Sequence, residues 1–214
     1  MVLVILITGF ILFYTDLHLF ETYVQEDGIV EWLTVLGLLL GVGVCLSRFG
    51  KLRKYRNWWF LFVTLDLGLL LFFAAGEEIS WGQRIFGIKS SEFFLEKNAQ
   101  GETNLHNLVV DGVKLNKIIF SIGLIAVLAI YLLIIPVLYR KTQSIKSWLD
   151  KSAVPVAQWY QVISILVLFA LTELLRHEKR AELLEAGIAL LFFLIIRYPL
   201  NRYIFDKHTP LSQK

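Results

Sequence analysis

Residues 58–84 read WWFLFVTLDLGLLLFFAAGEEISWGQR, and this stretch decides how the rest of the chain is interpreted. Its first part is an apolar run long enough to cross a lipid bilayer. The run then ends in two carboxylates, a hydroxyl, an indole, an amide and a guanidinium, which are costly at a membrane boundary unless they are used. A helix through this end would align four side chains on one face, at i, i+3, i+4 and i+7: Glu77, Ser80, Trp81 and Arg84. We therefore expect these side chains to face protein and not lipid.

The composition is that of an integral membrane protein. Of the 214 residues, 57% are hydrophobic, 14% aromatic and only 18% charged, and the mean hydropathy is +0.64. Such a chain has too little polar surface for a soluble domain. The single cysteine, Cys45, lies in an apolar run, which excludes a disulfide framework or a thiolate metal cluster.

The apolar runs predict an all-α, polytopic transmembrane bundle of about six helices, forming one membrane domain over residues 1–214. The later runs have about 18 to 22 residues each, the length that a spanning helix needs. The first run lacks a basic flank, so we expect a retained span and not a cleaved signal peptide. Pro155 suits the first turn of the fifth helix. The predicted spans are residues 2–20, 29–47, 58–76, 118–138, 154–175 and 183–200.

Basic and acidic residues separate to opposite ends of these helices. Lys and Arg concentrate in residues 48–56 and 140–151, whereas acidic residues other than Asp66, Asp150 and Asp206 lie at or beyond the opposite helix ends. By the positive-inside rule, both termini are cytoplasmic, which predicts a multi-pass protein of the bacterial cytoplasmic (inner) membrane. Membrane lipids are the expected partners of the basic residues, and nucleic-acid binding is not expected.

The segment of residues 79–117 joins the third and fourth spans. It is too polar to cross the membrane, but its aromatic residues and glycines suit an interfacial helix and a loop. We predict that it forms a lid over the outer face. Its turn-prone part, residues 98–107, would bring Glu102 and His106 back over the helix ends.

A site of carboxylates and imidazole is predicted at the outer face, because the ends of different helices meet there at one membrane depth. The candidate catalytic residues are Glu77, Glu78, Ser80 and His106. The candidate substrate contacts are Arg84, which would hold a phosphate or carboxylate group, with Trp81, Gln83 and Asn104. The candidate metal ligands, suited to Zn, Mn or Fe, are Glu77, Glu78, Glu102 and His106. Secondary candidates are Glu31, Asp66, Glu173 and His177.

Each of these residues also has a structural interpretation. Adjacent glutamates can end a helix at the water interface, and His106 can form local hydrogen bonds within a loop. His177 stands in a run of charged residues, which favours a solvated surface. A carboxylate in mid-membrane, as at Asp66, serves either a proton path or a neutral hydrogen bond to Thr64, Ser164 or a backbone carbonyl.

Three motifs carry a resemblance to a known group of proteins. They are Glu26-Asp27-Gly28 with Glu31-Trp32, then EEISWGQR at 77–84, and NLHN at 104–107, followed by acidic residues that lead into the last helix. Together they resemble a group of uncharacterised bacterial multi-pass membrane proteins. The resemblance covers most of the chain and implies a family with a polar signature, but it implies no reaction.

Three function classes remain open. The first is a metal-dependent hydrolase or transferase that acts from the outer face on a lipid or lipid-linked substrate, with a metal-activated water. The second is an ion- or proton-coupled transporter subunit, which the sparse polar residues of the cytoplasmic half and the lack of an inverted repeat disfavour. The third is a non-catalytic assembly or scaffold subunit whose outer face binds a partner protein. Paired histidines typical of three-histidine zinc hydrolases and His-box desaturases are missing from the sequence.

Overall fold

The computed structural model describes residues 1–25, 27–105, 107–110, 113–114 and 123–209. This part of the chain is largely helical, with one antiparallel pair of two-residue strands. A π-helical turn at Ile130–Ile134 joins the seventh and eighth helices, and 3-10 turns lie at Ser80–Gly82 and Arg202–Phe205. The strands are β1 (Val109–Val110) and β2 (Val113–Lys114), and the helices are α1 (Val2–Thr15), α2 (Leu17–Tyr23), α3 (Ile29–Leu52), α4 (Trp58–Glu78), α5 (Gln83–Phe86), α6 (Glu92–Lys97), α7 (Leu124–Ala129), α8 (Ile135–Lys141), α9 (Gln143–Lys151), α10 (Trp159–Leu174) and α11 (Arg180–Arg197).

The centre of the fold is α3, which packs against α4 and α11. Glycines allow these helices to approach closely, as is usual in membrane proteins. A Cβ added at Gly37 would lie 2.9 Å from the backbone carbonyl carbon of Ala189 in α11, and one at Gly41 would lie 2.9 Å from Leu71 Cδ1 in α4. Around this centre, α10 packs on α11, and α1 packs on α2 and α11.

The two ends of this helix assembly differ in charge. The end at which α4 ends at Glu78, and at which α3 and α11 begin, is called the acidic end. The basic end is the opposite one, where α3 ends at Leu52, α11 ends at Arg197 and α4 begins.

In the described part of the chain, two helices, α3 and α4, are long and apolar enough to cross a membrane. A third span results if the bent pair Ile125–Lys141 and Gln143–Lys151, which meets at 117°, is one element. Apolar helices α1 and α10 are shorter. The prediction of a helical chain is confirmed, with two or three apolar helices that could span a membrane in the described residues, whereas the count of six spans stays a prediction.

The first predicted span is divided in two. The backbone of Asp16, which follows α1, is extended. The Asp16 carboxylate caps α2, because it accepts a hydrogen bond from the Leu19 amide at 3.1 Å. The second predicted span is longer than expected, since α3 continues past Ser47 through basic residues to Leu52. Both differences arise because apolar composition does not specify where a helix is capped.

The fifth predicted span begins later than expected. Gln158 caps α10 reciprocally with Gln161, whose Oε1 accepts the Gln158 amide at 2.8 Å. Pro155 therefore precedes the helix and does not lie in its first turn. The non-helical residues before α10 pair with the chain beyond α11, since the Leu200 amide donates to the Val156 carbonyl at 2.7 Å.

Asp150 is a buried polar centre at the basic end. Its carboxylate accepts hydrogen bonds from Tyr139 at 3.0 Å, from Asn201 at 3.1 Å and from Tyr203. A buried carboxylate is stable only with several donors, so this set fixes α8, α9 and the segment after α11 on one another.

Residues 79–110, here called the acidic-end segment, follow α4 and contain the first 3-10 turn, α5, α6 and β1. Asn98 and Leu108 form an isolated β-bridge that closes the loop between α6 and β1. Phe86 and Phe93 are exposed on the short helices, as suits a membrane interface. Short helices and a loop thus stand where an interfacial helix and loop were predicted, and their action as a lid stays a prediction.

Candidate functional site at the acidic end

The chain leaves α4 through three consecutive residues in the left-handed backbone region. Their φ angles are 46° at Ser80, 56° at Trp81 and 75° at Gly82. Two of the three are not glycine, and such strain is concentrated at functional sites in many proteins. The helix predicted through residues 77–84 is wrong, because α4 ends at Glu78. A left-handed turn, and not a continued helix, brings the polar side chains together.

Glu77 stabilises this left-handed turn. Its Oε1 accepts a hydrogen bond from Trp81 Nε1 at 2.8 Å, and its Oε2 accepts one from the Leu105 amide at 2.6 Å. The Trp81 ring lies against Gly76, where an added Cβ would be 2.8 Å from Cε3. The buried Glu77 therefore links the end of α4 to its own turn and to the loop near residue 105.

Arg84 joins three carboxylates from separate parts of the chain. Its Nη2 lies 2.9 Å from Glu31 Oε1, its Nη1 lies 3.2 Å from Glu102 Oε1, and its Nε lies 3.1 Å from Asp27 Oδ1. The backbone of Asp27 also lies in the left-handed region, with φ at 60°. Its amide donates a hydrogen bond to Glu31 Oε2 at 2.6 Å. The guanidinium thus ties the turn before α3 to the acidic-end segment.

Ser80 is fully buried between two of the loop residues. Its hydroxyl donates to Glu102 Oε2 at 2.5 Å, and Asn104 Nδ2 donates to the Ser80 Oγ at 2.9 Å. Asn98 Nδ2 in turn donates to Asn104 Oδ1 at 2.8 Å. Ser80 and Asn104 are therefore buried in a hydrogen-bond network that supports the loop, and their predicted catalytic and substrate-binding roles stay predictions.

Gln83 also serves the acidic-end segment. Its Nε2 donates to Ser90 Oγ at 2.7 Å, and its Oε1 accepts the Thr103 amide at 2.7 Å. The Ser90 hydroxyl in turn donates a hydrogen bond to the Gly101 carbonyl at 2.6 Å. The side-chain amide of Gln83, at the start of α5, therefore connects two parts of the acidic-end segment, at Ser90 and at Thr103.

A second cluster at the acidic end consists of glutamates alone. One carboxylate oxygen of each of Glu78, Glu182 and Glu185 lies within 4.8 Å of the others. Glu78 comes from the end of α4, whereas Glu182 and Glu185 are one turn apart at the start of α11. Glu31 and Arg84 lie within electrostatic range of Glu78, so the two clusters adjoin. Three converging carboxylates repel one another unless a cation or a proton lies between them.

Oxygen ligands of this kind suit hard divalent cations. Mg²⁺, Ca²⁺ and Mn²⁺ prefer carboxylate oxygens, and zinc prefers sites that include imidazole or thiolate. Of the predicted metal ligands, Glu78 stands in this cluster, while Glu77 and Glu102 hydrogen bond to the turn and the loop. His106 lies outside the described residues, and so does Glu26.

The secondary candidates lie in different places. Glu31 belongs to the Arg84 cluster. Glu173 forms an exposed ion pair with Arg180 at 3.0 Å. His177 packs edge-on against Phe20, and its Nε2 lies 3.4 Å from Glu21 Oε1.

Asp66 is an exposed side chain halfway along α4. Hydrogen bonds from Asp66 to Thr64 or Ser164 are not found, and these two hydroxyls donate to the carbonyls of Phe60 and Tyr160, each at 2.8 Å. Within the part of the chain that the structure describes, no hydrogen bond or ion pair to this carboxylate is found.

Asp27, Glu182 and Glu185 are missing from the predicted site residues. The two glutamates are spaced i, i+3 at the start of an apolar helix, which places them at the same predicted membrane depth as Glu78 without indicating a contact. Comparisons with protein-family models, with curated proteins and with solved structures each return no match to this chain.

Proposed function

We propose that the chain is a multi-pass protein of the bacterial cytoplasmic membrane whose acidic end faces away from the cytoplasm and binds a divalent cation. In this proposal the cation site serves a hydrolase or transferase reaction on a lipid or lipid-linked substrate. The bundle has six spans, both termini are cytoplasmic, and the acidic-end segment covers the site as a lid. The observation that carries the proposal is the convergence of Glu78, Glu182 and Glu185.

The orientation is supported by the charges of the two ends. Arg48, Lys51 and Arg56 stand at the basic end of α3 and beyond it, and Arg197 closes α11 there. Cytoplasmic loops carry such an excess of Lys and Arg. The acidic end then faces the extracytoplasmic side, where its glutamates meet water and the outer leaflet.

The cation is expected to be Mg²⁺, Mn²⁺ or Ca²⁺, since the three converging ligands are all carboxylates. The earlier preference for Zn or Fe depends on His106, which stays a candidate ligand. A cation at this position would neutralise the repulsion among the glutamates. It would also polarise a phosphoryl or carbonyl oxygen and lower the pKa of a bound water.

Arg84 receives a different role from the one that its sequence position suggested. Its charge is already shared by three carboxylates, so binding a phosphate there would require breaking ion pairs. The bound cation, and not Arg84, is the group that would attract an anionic substrate. Arg84 then positions Glu31 and the acidic-end segment beside the cation site.

An assembly subunit is the second candidate function, and Asp66 favours it. An exposed carboxylate in the middle of an apolar helix is costly against lipid. A partner protein helix that offers a donor to Asp66 would remove this cost. In that case the acidic end would serve as a further contact surface for the partner.

The test is Mn²⁺ binding to the full chain purified in detergent, measured by electron paramagnetic resonance of free and bound Mn²⁺. We expect about one Mn²⁺ per chain, displaced by Mg²⁺ or Ca²⁺, and at least a tenfold loss of affinity in Glu182→Gln and Glu185→Gln. The matched control is Glu96→Gln, which removes an exposed glutamate of α6 outside the cluster. Thermal unfolding of each variant in the same detergent verifies that the helices remain assembled.

Two results would overturn the proposal. Wild type that remains folded and binds no Mn²⁺ removes the cation site and favours the assembly subunit. Equal loss of binding in Glu96→Gln and Glu182→Gln shows adsorption to surface charge. If binding is confirmed, release of phosphate or of fatty acid from lipid-linked substrates is the assay for the reaction.

A further inference from the structure

A groove of about 1080 Å³ opens at the basic end, far from the glutamates. It lies between α3, α11 and the 3-10 turn at Arg202–Phe205. One part of its lining is apolar and includes Leu39, Val44 and Phe193. The other part is basic and contains five cationic side chains: Arg48, Lys51, Arg197, Arg202 and Lys207.

Arg48 is the residue that this groove leaves unexplained. It is only 9% exposed, and its guanidinium carbon lies 3.5 Å from the centroid of the Phe205 ring. Among the described residues, no carboxylate forms an ion pair with Arg48 and no hydrogen-bond acceptor is found for it. Arg197 brings a second positive charge within electrostatic range. A cation–π contact offsets only part of the cost of burying a charge.

The acidic residue of the groove does not pair with Arg48. Asp206 lines the same groove, but among the described residues it forms no ion pair with Arg48, and its carboxylate accepts the His208 amide at 2.9 Å. Its backbone carbonyl accepts a hydrogen bond from Arg56 at 2.6 Å. The groove therefore keeps a strong excess of positive charge around the largely buried Arg48 side chain, and such an environment favours the binding of an anion.

The shape of the groove indicates what kind of anion fits. From Arg48 the groove follows α3 back toward Leu40, about eight residues or roughly 12 Å along the helix axis. Leu39 and Leu40 are 43% and 40% exposed there, within the apolar stretch of α3. A soluble phosphate would use the basic part alone, whereas a phospholipid would fill both parts.

We propose that this groove binds one anionic glycerophospholipid, with its phosphate at Arg48 and Arg202 and an acyl chain along Leu40 and Phe193. Basic pockets between membrane helices bind acidic headgroups in this manner. The site is independent of the cation site at the acidic end, since the two share no residue. The bound lipid would fasten the segment after α11 to the end of α3.

The experiment is native mass spectrometry of the full chain in a non-ionic detergent, titrated with phosphatidylglycerol or with phosphatidylcholine. We expect one phosphatidylglycerol to bind at least tenfold more tightly than phosphatidylcholine. Arg48→Gln should weaken phosphatidylglycerol binding about tenfold or more, because a charge-assisted hydrogen bond is lost. The matched control, Arg53→Gln, removes an exposed arginine of the same end outside the groove and should change binding less than twofold.

Two further arms keep the result decisive. Arg202→Gln, at an exposed position of the groove, replaces Arg48→Gln if the latter fails to fold, as judged by thermal unfolding. Excess glycerol 3-phosphate should not displace the lipid. Three results would each overturn the proposal. They are equal affinity for the two lipids, a loss of phosphatidylglycerol affinity in Arg53→Gln as large as in Arg48→Gln, and displacement of the lipid by glycerol 3-phosphate.

Discussion

Replacing Arg84 by glutamine should destabilise the protein far more than replacing any single exposed arginine of the acidic end. The side chain of Arg84 is 23% exposed, and its partners Glu31 and Glu102 are 6% and 15% exposed. Asp27, the third partner, is 50% exposed. Two of the three ion pairs are therefore largely shielded from water, and the third is not.

The magnitude follows from this burial. Removing one partner of a buried ion pair costs about 3–5 kcal/mol, whereas an exposed pair contributes about 0–1 kcal/mol. Since Arg84 retains some contact with water, we expect Arg84→Gln to lower the free energy of unfolding by about 3 kcal/mol. Arg84→Lys keeps the charge but loses the planar fork, and should cost about half as much.

The measurement is equilibrium unfolding in mixed micelles of a mild detergent and SDS, followed by circular dichroism. The matched control is Arg180→Gln, which breaks the exposed pair with Glu173 and should cost less than about 1 kcal/mol. The double variant of Arg84→Gln with Glu31→Gln should show a coupling energy of about 2 kcal/mol. If Arg84→Gln and Arg180→Gln lower the free energy of unfolding equally, the ion pairs of Arg84 with its three carboxylates do not stabilise the fold in the way argued.

Two further predictions concern single contacts. Gly76→Ala should displace the Trp81 ring, which an added Cβ would approach to 2.8 Å, and should lower stability by about 1–3 kcal/mol. Gly43→Ala, where nothing lies within 4 Å of the added Cβ, should cost nothing, and a shift in tryptophan emission in the first variant alone is the readout. Burial and the hydrogen bond to Asp150 raise the pKa of Tyr203 above its usual value, so the fold favours the protonated phenol. Its contribution to stability is therefore present below about pH 10 and is lost above it, and Tyr203→Phe should flatten the alkaline loss seen in thermal unfolding.

Long apolar runs made the helices α3 and α4 predictable. A run of about 20 apolar residues has few alternatives to a spanning helix, because backbone groups in hydrocarbon must be paired within the segment. Capping by Asp16 and by Gln158 depends on single side chains within apolar or mixed sequence, so the start of α2 and the late start of α10 were not predictable from hydropathy.

The residue types at the candidate site were predictable from the sequence, whereas the contacts among them were not. The sequence places many acidic residues at one predicted membrane depth, and Glu78 and Glu31 became candidates in this way. The left-handed turn at Ser80 and Trp81 has no local signal, since neither residue type favours that backbone region. The partners of Arg84 come from positions more than 15 residues away on either side, and helical periodicity carries no information about such pairs.

The junction at Arg84 also constrains how this protein can change in evolution. One side chain serves three acids that lie in two distant stretches of sequence, around position 27 and at position 102. A neutral residue at position 84 would leave surplus negative charge in both stretches at once. Among related sequences, substitutions at 84 should therefore appear together with loss of acids at 31 and 102, and this covariation would connect the turn before α3 to the acidic-end segment without any structure in hand.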